Sequence, residues 1–296
     1  MTALRQEDFS GSDEEAKAVK DSVMSSIAER RTTFRQLHES GCFVIPNPWD
    51  IGSAKYLERL GFKAVATTSA GFAFSRGMAD GSVGLHAMLA HVREIVEATD
   101  LPVNADFENA YGDDANTAAE NVRLCVETGV AGVSVEDNSG RKDKPLYEIE
   151  HAADRIRAAR DAIHGSDVML VGRAECFLVG REDIHEVIRR LTAYAEAGAD
   201  CLYAPGLRER DHIAAVVKAV APKPVNLLIS APGGLTIRDA EELGVRRVSV
   251  GGALARAAWG GFIRAAKELA DRGVFDGFAD AAPHSDLQKF FSSEKF

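Results

Sequence analysis

The chain alternates between two hydrophobic periods. Short apolar runs rich in β-branched residues recur over 42–48, 64–69, 102–107, 132–137, 169–175, 201–206, 224–229 and 246–252. Each reads as a strand buried on both faces, the pattern of a parallel sheet. Segments with apolar residues at helical spacing lie between them, over 51–60, 85–98, 117–127, 146–162, 184–197, 212–220, 237–243 and 253–269. Four of these helices close alike: LERLGFKAVATT, CVETGVAGVSV, YAEAGADCLY and AEELGVRRVSV each pass from helix through glycine into strand. Glycine just past a helix end adopts the left-handed conformation that other residues resist. The alternation predicts parallel βα units, and the count predicts an α/β fold closed into a single (β/α)8 TIM barrel. A doubly wound sheet is the competing architecture. Its first strand would lead into a glycine-rich nucleotide loop, whereas here Asn47-Pro48-Trp49-Asp50 follows.

The length of 296 residues suits one such barrel, which needs roughly 250, with tails. We place a polar N-terminal arm at 1–23, the catalytic barrel at 24–272 and a helical extension at 273–296. The stretch after Leu269 carries five phenylalanines. It predicts a helix packed either on the barrel floor or on a neighbouring subunit.

Charge narrows the partners. Asp and Glu number 45 against 35 Lys and Arg, a net charge of −10. That field opposes nucleic acid and anionic membranes and leaves a small anionic substrate held by local cations. Cys42, Cys125, Cys176 and Cys201 form no CxxC pair, so zinc clusters and redox motifs are unsupported. Scattered thiols and an acidic N-terminus without an apolar core point to a cytoplasmic protein. The expected assembly is a homo-oligomer, a dimer or a tetramer.

Barrel active sites form at the C-terminal ends of the strands. The polar residues there are Ser69-Ala70-Gly71 with Asp80 in the following loop, Asp106 and Glu108, Glu136 and Asp137, Arg173 and Glu175, and Asn226. Residues two apart on a strand share a face, so Asp106 and Glu108 address one locus. Carboxylates gathered in a barrel mouth repel one another until protons or a cation neutralise them. A hard cation is the natural partner: Mg²⁺, or Mn²⁺ in its place, bound by one or two carboxylates and several waters. Asp50 and Asp137 also suit helix caps, and Glu175 suits a structural partner for Arg173. The eight histidines fall on predicted helices or tails, which disfavours a serine–histidine triad or a zinc–histidine site. Small residues at 69–71, and the glycine pairs Gly233-Gly234 and Gly251-Gly252, let backbone N–H groups approach an anion.

Together the blocks PNPWDIGSA, TTSAGFAFSRGMADG, ADFENAYGDD, GVSVEDN and GRAECF, in this order between Phe34 and Leu269, resemble the isocitrate lyase/phosphoenolpyruvate mutase superfamily, especially its mutase-like branch. The resemblance implies roles. Ser69, Ala70 and Gly71 would hold the substrate carboxylate and oxo oxygen, and Asp80 would sit near the reacting carbon or phosphorus. Asp106 would ligate Mg²⁺ directly, with Glu108 and Glu136 holding its waters. Arg173 would bind anionic groups of the substrate, and Asn226 would make a polar contact to it. Two family features are missing. The KKCGH loop of the lyases is replaced by NSGRKDKPLYEIE, whose cations are Arg141, Lys142 and Lys144. The histidine or glutamate after the sixth strand is replaced by Ala204-Pro205-Gly206. The acid–base group is therefore unassigned. Three functions remain open: a C–C lyase or decarboxylase acting on a small 2-oxo or 2-hydroxy di- or tricarboxylic acid through a pyruvate-enolate-like intermediate, a phosphonopyruvate mutase or P–C hydrolase, and a non-catalytic barrel that binds metal and oxo acid.

Overall fold

The computed structural model describes residues 26–292; the arm expected over 1–23 lies outside them. Eight parallel strands form the barrel: β1 (Phe43–Ile45), β2 (Val65–Ala66), β3 (Val103–Asp106), β4 (Gly132–Glu136), β5 (Met169–Arg173), β6 (Cys201–Tyr203), β7 (Val225–Leu228) and β8 (Arg247–Ser249). All eight fall inside the runs read from the sequence. Strand order follows the chain, and β8 pairs with β1. The seam between β1 and β2 is joined where Ala66 N–H donates to the Pro46 carbonyl at 3.0 Å.

The outer helices are α1 (Ile27–Leu37), α2 (Ile51–Arg59), α3 (Ser69–Ser75), α4 (Leu85–Ala98), α5 (Ala115–Val126), α6 (Ile149–Ala162), α7 (Ile184–Glu196), α8 (Arg210–Val220), α9 (Ile237–Glu242), α10 (Ala253–Arg272) and α11 (His284–Ser292). Gly61, Gly129, Gly198 and Gly244, the four predicted helix stops, all have positive φ. Asp50 caps α2 by accepting from Ser53 N–H, as its position suggested. The main core lies between sheet and helices, with Val92, Val122, Leu191 and Val216 fully buried against the strands.

The polar pattern before β1 predicts no helix, yet α1 closes the N-terminal end of the barrel. Its Phe34 is fully buried in the interior beside Ile45, Val171 and Cys201. A Cβ at Gly132 would come within 2.7 Å of the Phe34 ring, so the plug and that glycine require each other. Arg30, Arg31 and Arg35 anchor the helix by donating to carbonyls of Val96, Thr99, Val126, Val130, Ser166, Asp167 and Val168.

Among the described residues, the C-terminal extension packs on the flank of the barrel. Its helix α11 lies against α2, where Phe290 meets the Tyr56 ring at 4.9 Å and sits under the Arg59 guanidinium. The preceding α10 is apolar on an open face: Trp259, Phe262 and Ile263 are exposed, as is Phe275 beyond it. Among the described residues no helix is long and apolar enough to cross a membrane.

Candidate active site

A cavity of about 150 Å³ opens at the C-terminal ends of the strands. Drug-sized pockets run to several hundred Å³, so this one suits a small molecule. Its mouth carries Ser69, Ala70, Asp80, Asp106 and Arg173. Its deeper wall carries Asn104, Ser134, Asn226, Arg247 and Ser249.

Arg173, the last residue of β5, organises the mouth. Its guanidinium contacts Asp106 at 2.5 Å, Glu136 at 3.0 Å and Glu175 at 2.9 Å. These partners end β3, end β4 and follow β5, and the parallel register sets Glu136 directly beside Arg173. The guanidinium also lies 5.0 Å from the centre of the Tyr203 ring on β6. Burial opposes its charge, but Glu175, Glu136 and Asp106 more than offset this and raise its pKa well above the ordinary arginine value.

Ser69 is not a strand end as the sequence suggested. Thr68 caps a helix by accepting from Gly71 N–H, and Ser69 opens α3. The Ser69 N–H donates to Asp106 Oδ2 at 2.9 Å. Its hydroxyl lies 3.0 Å from the same oxygen and 3.3 Å from Asp80 Oδ1, so one proton serves either acid. Both Asp106 oxygens thus have protein donors, from Ser69 on one side and Arg173 on the other.

The loop after β3 is strained. Glu108, Ala110 and Tyr111 have φ of 46°, 55° and 54°, values uncommon for residues with a Cβ. Such strain persists where surrounding structure enforces it and concentrates at functional sites. Asn121 donates to the Ala110 and Tyr111 carbonyls, and Arg155 braces the flanking residues. Arg155 is 1% exposed and donates to the carbonyls of Asn109, Gly112 and Glu136, with its guanidinium 4.4 Å from the Tyr147 ring centre. The loop leaves Glu108 Oε1 buried without a hydrogen-bond partner.

The mouth therefore gathers Asp80, Asp106, Glu108, Glu136 and Glu175 near Arg173, which pairs with three of them. Burial, then the neighbouring Asp106 and Asp80, pushes Glu108 up to about 7. Burial and Asp106 likewise raise Asp80. Burial raises Glu136 well above the usual carboxylate value, against the opposing pull of Arg173. Glu175 is raised for the same reason. Among the described residues no three acidic, histidine or cysteine side chains form a ready metal cage. The donor set still fits a hard cation: all-oxygen ligands, excess negative charge and the orphaned Glu108 oxygen. Mg²⁺ needs only one or two direct carboxylates beside its waters.

Asp137 does not cap a helix. Its Oδ1 accepts from Glu175 N–H at 2.8 Å, and its Oδ2 accepts from Arg190 at 3.0 Å and Tyr194 at 2.6 Å. This buried set fixes the backbone that presents Arg173 and Glu175. Lys144 pairs with the exposed Glu148 at 3.0 Å. Pro205 lines the cavity and Ala204 is buried, so the segment after β6 brings no acid or base. Asn226 donates to Ser249 Oγ at 2.9 Å and accepts from Arg247 Nε at 2.8 Å.

Sequence reasoning missed Arg155, Tyr203 and Arg247. Arg155 sits in a helical pattern that reads as solvated. For Arg247 a signal existed: in RRVSV a period of two sets Arg247 and Ser249 on one face, opposite the core-facing Val248.

The fold is thus a (β/α)8 barrel with a charged cavity at the C-terminal ends of its strands. A family model described as phosphoenolpyruvate phosphomutase matches residues 34–270, and the chain belongs to that family, within the isocitrate lyase/phosphoenolpyruvate mutase superfamily. Its homologues are carbon–carbon lyases and phosphonomutases, and the chain is an enzyme of this superfamily. A Burkholderia cenocepacia J2315 structure described as a lyase/mutase candidate is 47% identical, with TM-score 0.88 over 90% of this chain and 98% of that one. An uncharacterized Mycobacterium tuberculosis protein is 33% identical over 86% of this chain and 95% of its own. A structure of oxaloacetate acetylhydrolase with the product oxalate is 28% identical, with TM-score 0.78 over 88% and 93% of the two chains.

Proposed function

We propose that the chain is a Mg²⁺-dependent lyase or decarboxylase that cleaves a C–C bond in a small 2-oxo or 2-hydroxy di- or tricarboxylic acid. The observation that carries this reading is the excess of carboxyl groups over cations at the mouth of a small cavity, where Arg173 pairs with three acids while Asp80 and Glu108 stand beside them. Asp106 would hold the ion directly, with Glu108 and Glu136 on its waters. Bound there, Mg²⁺ supplies positive charge for the enolate-like oxygen that develops when the bond to C3 breaks.

The chain's own groups supply the rest. Ala70 and Gly71, at the start of α3, flank the position assigned to the substrate's carboxylate and oxo oxygen. Ser69 holds Asp106 and Asp80 in a fixed relation through its N–H and hydroxyl. Arg173 offers a planar guanidinium to a carboxylate, a recognition that lysine reproduces poorly. Asp80, with its pKa raised, is suited to exchanging a proton near the reacting carbon. The four free cysteines suit a reducing cytoplasm. The open apolar face of α10 suits burial in a homo-oligomer, a dimer or a tetramer.

The test is a screen of 2-oxo acids, alkylmalates and phosphonopyruvate with Mg²⁺, following pyruvate through a coupled assay. Pyruvate from a diacid supports the lyase. Phosphate or rearranged product from phosphonopyruvate transfers the assignment to P–C chemistry, the reading favoured by the description of the family model. Tight Mg²⁺-dependent oxalate binding with no turnover across the panel identifies a binding barrel.

A further inference from the structure

The deeper wall of the cavity holds a second guanidinium that neither the motifs nor the proposed chemistry uses. Arg247, at the start of β8, is 3% exposed and lines the cavity. No carboxylate pairs with it among the described residues. Its contacts are neutral: Nε donates to Asn226 Oδ1 at 2.8 Å, while Nη1 lies 3.4 Å from Asn104 Oδ1 and 3.5 Å from His38 Nε2. His38 is itself held by the Phe34 carbonyl at 2.7 Å. Burial, then the charge of Arg247, pushes the His38 pKa down to about 3, so the ring stays neutral beside the guanidinium.

A buried charge without a counter-charge is strongly disfavoured. Arg173 meets that demand with three acids. Arg247 meets it with amides that orient the guanidinium without cancelling its charge. Ser134 and Ser249 add hydroxyls to the same wall. The mouth is thus acidic and the floor is cationic, within one small cavity. A ligand with an anionic group on an arm reaching away from the acids would satisfy both ends.

We infer that Arg247 is a specificity-determining residue: it receives the second carboxylate of a dicarboxylic substrate at the floor of the cavity, oriented by Asn226 and Asn104. This deepens the lyase reading and rests on it for the substrate class, but it is tested by binding rather than turnover. The ligands are pyruvate, with one carboxylate, and 3,3-difluorooxaloacetate, with two, titrated calorimetrically into the full chain with Mg²⁺ present. The wild-type chain is expected to bind the dicarboxylate at least about tenfold more tightly than pyruvate, a selectivity of the size expected for one charge-assisted contact. Arg247→Met is expected to erase that preference while pyruvate affinity stays within about twofold. A merely structural role would weaken both ligands together, and that result overturns the inference. So does a wild-type chain with no preference between them. Should Arg247→Met fail to fold, a crystal structure of the wild-type chain with difluorooxaloacetate decides. A carboxylate within hydrogen-bond distance of the Arg247 guanidinium supports the assignment, and both carboxylates at the mouth refute it. A chain that turns over no C–C substrate yet keeps the Arg247-dependent preference refutes the lyase and leaves this inference standing.

Discussion

Among the described residues, the guanidiniums of Arg173 and Arg247 both line the cavity, in opposite surroundings. Arg173 at the mouth contacts Asp106, Glu136 and Glu175. Arg247 at the floor contacts Asn226, Asn104 and His38. The same side chain is over-supplied with negative charge in one place and under-supplied in the other. At the mouth, the missing charge is positive, which suits a metal ion. At the floor, the missing charge is negative, which suits a substrate. The local shortfall of charge, rather than the presence of an arginine, tells what each end of the cavity attracts.

The largest effect should come from removing the mouth's cation. Arg173→Met would leave three buried carboxylates facing one another. Breaking a buried pair costs about 3–5 kcal/mol, and denaturant unfolding should show a loss of that order together with loss of activity. Near-wild-type stability would show that the acids are already protonated or neutralised elsewhere. Next is Asp106→Asn, which keeps the volume and removes the charge. Mg²⁺ affinity measured by calorimetry should fall by more than about a hundredfold, exceeding the loss seen for outer-shell partners; an unchanged affinity removes Asp106 from the metal site.

Asp137→Asn should cost less, about 1–3 kcal/mol in urea unfolding, because Arg190 keeps Glu186 at 2.7 Å. It should also lower kcat by loosening Glu175, whose N–H Asp137 holds. Glu108 predicts a pH effect. Its folded pKa, about 7, lies above the ordinary glutamate value. The stability it contributes is complete below the unfolded value and is lost as pH rises through about 7. The melting temperature of the metal-free chain should therefore decline across that window, and Mg²⁺ should raise it more at pH 8 than at pH 5. Glu108→Gln should flatten the decline. The smallest effect belongs to Arg123→Ala. Its pairs with Glu120 and Glu127 are exposed, and such pairs contribute little, so thermal unfolding should not change measurably.

Much of this was legible in the chain. The alternation of periods gave the eight strands, because a parallel strand must be apolar on both faces and a βα unit must end its helix with a turn that glycine makes easily. The acids of the mouth were legible because strand ends in a barrel converge. Other features were not. Helix α1 has a polar pattern, since only Phe34 and Arg30 are buried among its residues, so the plug of the barrel left no periodic trace. Ser69 became a helix start because Thr68 caps it, a choice between two local structures that apolar patterning does not register.

The sequence by itself determined the barrel, its polarity and the residues at its rim, because these follow from local periodicity and from which side chains end each strand. Only the tertiary structure decided how the charges pair. That Arg173 takes three acids while Arg247 takes none among the described residues depends on strands far apart in the chain, from β3 to β8, meeting inside one narrow cavity. Burial then makes each unmatched charge consequential.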